Sequence, residues 1–569
     1  MKFLITKILL RINKIILLLV LAICIYELVV NISAVIAKSY TIVELAKIVI
    51  FGIILFCIVI VIIIGRIKKI IHKGSILTMT LEGDFTKGER DFLSLLKKKG
   101  LNFYELLQVL DYALKDPKVD QLLIRIHNLS LGWGRLSELQ DHLLKWKQNG
   151  KKVICFLGDS INSDYYLATA SSKICMSMGS ILFFNGLVYE IPFYKGLADK
   201  LGISFEIEHS GMYKTSFDQF IYEHMQAEQR EMTQRVLEQI QEELISKVMQ
   251  GRMLNREEVL RFMQEGIFTA TNALDNKLID DITTMEEFKF KLFSTNRKAH
   301  FIDARKYFML RGKKMDAKAK KNVGLIYIEG MLQEGESGYH PTFGKICGTD
   351  DVLELLNEAE KESMFCGVIL RINSPGGSGT SAEVLWQRIK QLAAKKPVVA
   401  VMGDVAASGG YYIASAATHI IASPLTITGS IGVISGKISI EGLLSKLNIN
   451  VERIKLNDNA DIMSLFSNLT ANQREKLRRI NDEFYRLFVK RVAEGRKLKE
   501  EEVLAAADGR IWIATDALKY KLIDEIGGLT EAVTFIKEYD KIPPAEQIRI
   551  YELIAEKPFW EKLRLKVAT

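Results

Sequence analysis

KPVVAVMGDVAASGGYYIASAATHIIASP, residues 396–424, decides the fold. PVVAVMGD is a short apolar run rich in β-branched residues, which is typical of a buried parallel strand. ASGGYYIASAATH combines a glycine turn with helical spacing of apolar residues, and HIIASP indicates a further strand. A strand, a helix and a strand in this order predict a βαβ crossover.

The preceding residues extend this pattern. GLIYIEG (324–330) and GVILRI (367–372) are further β-branched runs, and SAEVLWQRIKQLAAK (381–395) has apolar residues at helical spacing. This alternation predicts an α/β fold with a mostly parallel sheet.

The same pattern occurs earlier in the chain. Gly158-Asp159 aligns with Gly403-Asp404, LATASSK (167–173) with IASAATH (413–419), and KLIDD (277–281) with KLIDE (521–525). In a chain of 569 residues, two long homologous copies indicate tandem domains rather than a solenoid. We expect repeats at 74–318 and 319–569.

The N-terminal segment, residues 1–73, is predicted to anchor the chain in a membrane. The whole chain has a formal net charge of +9. Because this segment contains ten Lys/Arg and only two acidic residues, it carries most of that charge, and the rest of the chain is nearly neutral. Apolar runs at about 15–37 and 48–65 predict one or two transmembrane helices. With two helices, the positive-inside rule puts both ends in the cytoplasm.

Two residues of different repeats could share one reaction. Ser408 lies in a glycine-rich turn between a strand and a helix, beside a second turn, SPGGSG (374–379). As an isolated feature Ser408 could be a helix N-cap, but two glycine-rich turns at neighbouring strand ends favour a ligand crevice. A serine nucleophile needs a base, and Lys214 in SGMYKTS could serve if burial lowers its pKa. If the alignment gap falls just after the serine, Ser163 is the counterpart of Ser408, and Ala460 is the counterpart of Lys214.

Other chemistries find little support. Six cysteines and eight histidines are scattered without metal-ligand spacing, and no GxxxxGK[ST] motif is present. We therefore expect no metal, no cofactor and no nucleic-acid partner. Five apolar residues near the turns suggest either a hydrophobic specificity pocket or, for most of them, simply part of the core: Met402, Ile413, Leu425, Ile431 and Val433.

The SPGG turn, GDVAASGGYYIA, TGSIGV, the SGMYKTS lysine and the duplication together resemble the long, two-repeat signal peptide peptidases of the S49 serine peptidase family. The resemblance covers about residues 74–545 and implies a Clp-protease/crotonase-like fold. By this likeness Ser408 is the nucleophile, Lys214 the general base and Ser430 a support for the lysine. Backbone N–H groups of Gly409 and of the Gly376-Gly377 turn would form the oxyanion hole.

The resemblance also implies a homotetramer in the bacterial cytoplasmic membrane that degrades cleaved signal peptides. It places the catalytic domain outside the cytoplasm, whereas the charge pattern with two helices favours the cytoplasmic side. Ala514 stands where the family's closing G-R-x-W/Y-x-G motif ends in glycine. The alternatives are a crotonase-like acyl-CoA enzyme, which needs neither the serine–lysine pair nor an anchor, and an inactive membrane scaffold, which should have lost one of the pair.

Overall fold

The computed structural model describes residues 71–85, 100–295, 299–316 and 319–555. Both apolar runs predicted to cross a membrane, 15–37 and 48–65, lie outside these ranges. Within them, every helix is too short or too polar to cross a bilayer.

Both repeats contain helices and strands interspersed along the chain. In the first repeat they are β1 (Ser75–Gly83), α1 (Phe103–Lys115), β2 (Val119–Leu129), α2 (Trp133–Gln148), β3 (Lys152–Leu157), α3 (Asn162–Ala168), β4 (Lys173–Met176), β5 (Ile181–Phe184), α4 (Lys195–Leu201), β6 (Ser204–Ser210), α5 (Asp218–Ile221), α6 (Ala227–Arg252), α7 (Arg256–Glu265), β7 (Gly266–Thr269), α8 (Ala270–Asp275), β8 (Asp281–Ile282), α9 (Met285–Thr295), β9 (His300–Asp303) and α10 (Ala304–Asp316).

In the second repeat they are β10 (Lys321–Glu329), β11 (Met331–Gln333), β12 (Gly338–His340), β13 (Gly344–Gly348), α11 (Thr349–Lys361), β14 (Phe365–Ser374), α12 (Gly379–Ala393), β15 (Val398–Ala407), α13 (Gly409–Ala414), β16 (His419–Ala422), β17 (Ile427–Gly429), β18 (Val433–Ser439), α14 (Glu441–Lys446), α15 (Ala471–Arg496), α16 (Glu500–Leu504), β19 (Ile511–Ile513), α17 (Ala514–Lys519), β20 (Glu525–Ile526), α18 (Leu529–Tyr539) and β21 (Ile548–Glu552).

Each repeat has its own parallel sheet, which confirms the predicted α/β architecture. The first has the strand order β8-β4-β3-β2-β1-β9, and the second has the equivalent order β20-β16-β15-β14-β10-β21. In the second sheet, β17 also pairs with β15, and β19 pairs antiparallel with β17. The central strands β14 and β15 are almost wholly buried. This explains why their sequences are continuous apolar runs rather than alternating ones.

Matching hydrogen bonds identify the residues that correspond in the two repeats. Tyr165 Oη donates to the carbonyl of Leu278 at 2.7 Å, and Tyr411 Oη donates to that of Leu522 at 2.9 Å. The two tyrosines are 246 positions apart. The bridge between residues 160 and 182 likewise matches the pairing of residues 406 and 428.

These matches correct one detail of the sequence alignment. The offset of 246 already holds at residue 160, so the one-residue gap falls before the helix and not after the serine. Asn162, the first residue of α3, therefore corresponds to Ser408, and Ser163 corresponds to Gly409. The alignment of Ser163 with Ser408 was wrong because the surrounding sequence is too divergent to locate a single-residue gap.

The two repeats are joined by strand pairing and by buried charges. β6 of the first repeat pairs antiparallel with β18 of the second, from Ser204 opposite Ser439 to Ser210 opposite Val433. Arg371 forms an ion pair with Glu138 at 2.6 Å, and both side chains are buried. Because an unpaired buried charge is costly, this pair favours one relative placement of the repeats.

Candidate active site

Ser408 lies at a sharp turn between β15 and α13. Its φ of 53° and ψ of −121° are unusual for a residue with a side chain, and such strain commonly marks functional sites. The backbone is fixed on both sides: Ser408 N–H donates to the carbonyl of Gly429 at 2.8 Å, and its own carbonyl accepts from Tyr412 N–H at 2.8 Å. The turn resembles a nucleophile elbow, which holds a serine hydroxyl clear of the sheet.

Lys214 reaches Ser408 from the other repeat. Its Nζ lies 2.9 Å from Ser408 Oγ, 2.9 Å from Ser430 Oγ and 3.0 Å from the Ser430 carbonyl oxygen. The side chain is only 3% exposed. The structure thus brings together the serine and the lysine that the sequence singled out.

Burial changes the charge state of this amine. Desolvation lowers the pKa of Lys214 to about 7, because a buried ammonium loses its hydration. A neutral amine has two N–H donors and one lone pair. The two oxygens of Ser430 can accept both N–H groups, which leaves the lone pair for the hydroxyl proton of Ser408.

Ser430 is itself held by the backbone. It has a φ of 54°, and its N–H donates to the carbonyl of Arg510 at 2.7 Å. It is 7% exposed. Its position beside Lys214 fits the supporting role that the family resemblance implies.

A loop of the second repeat, residues 508–510, fixes the turn that carries Lys214. Met212 N–H donates to Asp508 Oδ1 at 2.8 Å, and Tyr213 N–H donates to the Asp508 carbonyl at 2.8 Å. A Cβ on Gly509 would lie 2.5 Å from the backbone nitrogen of Lys214, so the two loops touch too closely for a side chain there. Sequence reasoning missed Asp508 because the GRxW segment beside it suggested packing alone.

We expect Asp508→Ala to lower kcat by roughly 10- to 100-fold, since small displacements of a catalytic group are costly. Asp508→Asn is the matched control: it keeps the Oδ1 acceptor, and asparagine tolerates the positive φ of 63° at this position. Steady-state hydrolysis of a peptide substrate measures both. Equal losses in the two variants would contradict a positioning role based on the Met212 hydrogen bond.

The glycine turn after β14 presents backbone donors to the serine. Gly376 and Gly377 have φ values of 108° and 145°, which favour glycine. Gly376 N–H donates to Ser374 Oγ at 3.2 Å. Residue 377 pairs in parallel with Leu332, whose N–H donates to the Gly376 carbonyl and whose carbonyl accepts from Ser378 N–H. The N–H of Gly377 therefore points away from that strand. Of the two predicted glycines, Gly377 is therefore the better oxyanion donor, together with Gly409 at the first position of α13.

His419, the histidine nearest in sequence, is positioned for another role. It begins β16 opposite Val399, near the start of β15, whereas Ser408 follows the end of β15. Its ring stacks on Phe535 at 4.1 Å and lies 3.1 Å from a Glu525 carboxylate oxygen. These contacts make it a structural residue.

Of the two roles that the sequence left open for the apolar residues near the turns, pocket wall or core, most of them have the second. Four of the five residues are almost fully buried in the core, with exposed fractions of 0 to 3%: Met402, Ile413, Leu425 and Ile431. Val433, the first residue of β18, is partly exposed. An apolar residue beside a catalytic turn does not by itself distinguish a pocket wall from the core.

Comparison with known proteins identifies a peptidase family. The profile of peptidase family S49 matches residues 145–295 and 390–542, one segment in each repeat. A chloroplastic serine protease SPPA of Arabidopsis thaliana is 29% identical over 489 residues, covering 85% of this chain and 72% of that protein. Protease 4 of Haemophilus influenzae is 28% identical over 450 residues, covering 76% of this chain and 72% of that protein. A putative signal peptide peptidase SppA of Enterococcus faecium is 33% identical over 197 residues, covering 34% of this chain and 57% of that protein.

Proposed function

The chain belongs to peptidase family S49, and from this we propose that it is a membrane-anchored serine endopeptidase that uses a Ser408–Lys214 dyad to degrade cleaved signal peptides and other short hydrophobic peptides. The observation that carries the proposal is the 2.9 Å contact between Ser408 Oγ and the buried amine of Lys214. In this proposal the repeat 74–318 supplies the base and the repeat 319–569 supplies the nucleophile, each with a Clp-protease/crotonase-like fold.

Acylation begins with the neutral Lys214 amine. It takes the hydroxyl proton of Ser408 while Oγ attacks the carbonyl carbon of the scissile bond. The N–H groups of Gly377 and Gly409 stabilise the oxyanion of the tetrahedral intermediate. The lysine ammonium then gives its proton to the leaving amine, and the acyl group remains on Ser408 as an ester.

Deacylation uses the same groups with water as the nucleophile. Lys214 removes a proton from water, and the hydroxide oxygen attacks the ester carbonyl. Collapse of the second intermediate breaks the bond to Oγ, which recovers the proton from the lysine. Ser430 holds the amine in place through both halves of the reaction.

The substrate class and the cellular location complete the proposal. The Enterococcus faecium relative is named a putative signal peptide peptidase, and the apolar N-terminal runs suit an enzyme whose substrates remain in a membrane. We propose a homotetramer anchored by residues 1–73. Protease accessibility of a C-terminal tag, in intact and permeabilised cells, distinguishes a cytoplasmic from an extracytoplasmic catalytic domain.

We expect the detergent-solubilised enzyme to cut a leucine-rich signal peptide faster than a charged peptide of equal length, and to leave a stable folded protein intact. No ATP-binding motif is available to drive unfolding, so an extended chain is required. Mass spectrometry of the products measures the cleavage of all three substrates. Labelling by a fluorophosphonate probe reports independently on the reactivity of the serine. Equal cleavage of all three substrates would refute the proposed selectivity while leaving the serine chemistry intact.

A further inference from the structure

The strand that leads to Ser408 is interrupted by a bulge. The register of β15 against β14 shifts by two residues just before the turn that carries the serine. Residues 403–405 of β15 lie opposite Asn373 alone, which is the arrangement of a β-bulge. Bulges bend a strand and point its side chains in new directions, and they are frequent beside active sites.

The bulge contains the one residue by which the second repeat exceeds the first in this region. Gly403-Asp404 corresponds to Gly158-Asp159 at an offset of 245, and the offset is 246 from residue 160 onward. The additional residue therefore follows Asp404 directly. In the first repeat, Asp159 accepts a hydrogen bond from Ile181 N–H at 2.9 Å, within its own repeat. The bulge directs Asp404 elsewhere.

Asn373 supports the backbone of the bulge. Its Oδ1 accepts from the N–H groups of Asp404 and Val405, each at 3.1 Å. Bulged residues lose regular partners in the ladder, so this side chain replaces bonds that the adjacent strand cannot provide. Asn373 also directly precedes the SPGG turn that carries Gly377. One side chain thus connects the oxyanion turn to the strand that carries the nucleophile.

The carboxylate of Asp404 reaches the first repeat. Its Oδ2 accepts from Arg135 Nε at 2.5 Å, and its Oδ1 accepts from the Arg135 backbone N–H at 2.8 Å. The two side chains are only 13% and 14% exposed. Arg135 Nη1 also donates to the Asp84 carbonyl at 2.8 Å, which holds the guanidinium in place. A charge-assisted contact with this geometry and little solvent contributes more than an exposed ion pair.

Two glycines allow the first turn of α2 to lie against the bulge. A Cβ on Gly132 would lie 2.3 Å from Asp404 Cγ, and a Cβ on Gly134 would lie 2.4 Å from the Gly403 carbonyl oxygen. The segment GWGR (132–135) therefore fits this contact without room for side chains at either glycine.

The corresponding helix of the second repeat has no such arginine. The helices α2 and α12 begin at residues 133 and 379, which are 246 positions apart. At this offset Ser381 corresponds to Arg135. The sequence therefore places an arginine in the repeat that supplies Lys214 and a bulged aspartate in the repeat that supplies Ser408.

A displacement of the bulge would reach the nucleophile through a short piece of chain. Asp404 lies four residues before Ser408, and the intervening Ala406 and Ala407 pair with β17. The position of Asp404 along the first repeat thus sets where this piece of β15 lies. Because the first repeat also carries Lys214, the contact with Arg135 relates the serine to its base.

We propose that Arg135 is a positioning residue of the active site, whose ion pair with Asp404 holds the bulged strand where Ser408 meets Lys214. The inference rests on the proposed serine–lysine chemistry and deepens it. Arg135 acts through Asp404 and not on the reacting atoms. Its loss should therefore lower kcat and leave KM close to the wild-type value, since a small misplacement of a nucleophile slows the chemical step.

The first test compares two arginines in the full-length enzyme in detergent. Arg135→Ala should lower kcat, per folded enzyme, by roughly 10- to 100-fold, and Arg135→Lys should recover part of the loss because an ammonium still pairs with Asp404. Arg388→Ala is the matched control: Arg388 is also 13% exposed and pairs with Glu360 at 2.6 Å within one repeat. Its kcat should stay close to that of the wild type. A wild-type kcat in Arg135→Ala, or an equal loss in Arg388→Ala, would overturn the proposal.

The second test measures the coupling between the two side chains. Asp404→Asn keeps an Oδ1 acceptor for the Arg135 backbone N–H, and Arg135→Ala keeps that N–H, so the double-mutant cycle isolates the ion pair. The double variant should be little slower than either single one, because each removes the same interaction. Losses in kcat that multiply would show that the two residues act separately, and the proposal would be wrong.

The third test moves the bulge without removing a hydrogen-bonding group. Gly134→Ala should lower kcat, because its Cβ would meet the Gly403 carbonyl. Gly158→Ala is the matched control at the counterpart of Gly403, where a Cβ would meet nothing within 4 Å, and it should keep wild-type kcat. An unchanged kcat in Gly134→Ala would contradict the proposed role of the bulge.

Ser408→Ala in the same assay separates this proposal from the one on which it rests. Loss of hydrolysis in Ser408→Ala together with the kcat loss in Arg135→Ala is the expected result. Loss in Ser408→Ala with full activity in Arg135→Ala would overturn the positioning role alone. Full activity in Ser408→Ala would overturn the serine–lysine chemistry and the positioning role together.

Discussion

Ser408→Ala and Lys214→Ala should each lower peptide hydrolysis by about 10³-fold or more, and the double variant should be little worse than either. The reason is that the hydroxyl and the amine act on one proton. Without the amine the hydroxyl is a weak nucleophile, and without the hydroxyl the amine has nothing to activate. Single-turnover hydrolysis of a hydrophobic peptide, with folding checked by circular dichroism, measures the effect.

Ser163→Ala is the control for this prediction. Ser163 is the second residue of α3, the corresponding helix of the first repeat, but it occupies the position of Gly409 and has no lysine counterpart nearby in the alignment. The variant should keep most of the activity. Full activity of Lys214→Ala would refute the dyad, whereas strong loss in Ser163→Ala would show that the first repeat has a catalytic role.

Much of the architecture is predictable from local patterns. β-Branched runs and helical spacing identify the parallel strands and crossovers, and self-similarity identifies the duplication, because these features depend on neighbouring residues. The proximity of Ser408 and Lys214 also follows from sequence, since each repeat has only one of the two residues at corresponding positions.

The features that the sequence did not reveal depend on which residues pair with one another when they are far apart in the chain. β6 and β18 are separated by more than 200 residues, and nothing in either strand specifies its partner. The gap before Asn162 and the clamp by Asp508 likewise become visible only when backbone hydrogen bonds are known. The choice between pocket and core was left open for a different reason: a fully buried Met402 and a pocket-lining methionine look the same in sequence.

The division of the site between repeats has a mechanistic consequence. Lys214 is anchored by the second repeat through Asp508 and touches Ser408 and Ser430, so three segments of one repeat hold a residue of the other. The amine is therefore buried only when both repeats are docked. Its lowered pKa, and hence its use as a base, depends on the joint rather than on its own repeat.

Lys214→Met should stabilise the protein, relative to the wild type, more at pH 6 than at pH 10. In the folded state burial lowers the pKa of Lys214 to about 7, while in the unfolded chain a lysine has a pKa near about 10.4. Between these values the unfolded state binds one more proton, so wild-type stability rises with pH across this range. Below pH 7 both states are protonated and the full cost of the buried ammonium, on the order of 5 kcal/mol, is present.

The measurement is the difference in thermal unfolding midpoint between Lys214→Met and wild type from pH 6 to pH 10. Taking the difference cancels every other titrating group, and any constant cost of leaving Ser430 unpaired does not change with pH. Lys361→Met, at an exposed lysine ending α11, should show no such trend. The same group should give the rising limb of the wild-type kcat/KM profile with an apparent pKa of about 7. A constant difference in midpoint, with activity rising only near about pH 10, would mean that the lysine is solvated and cannot act as the base.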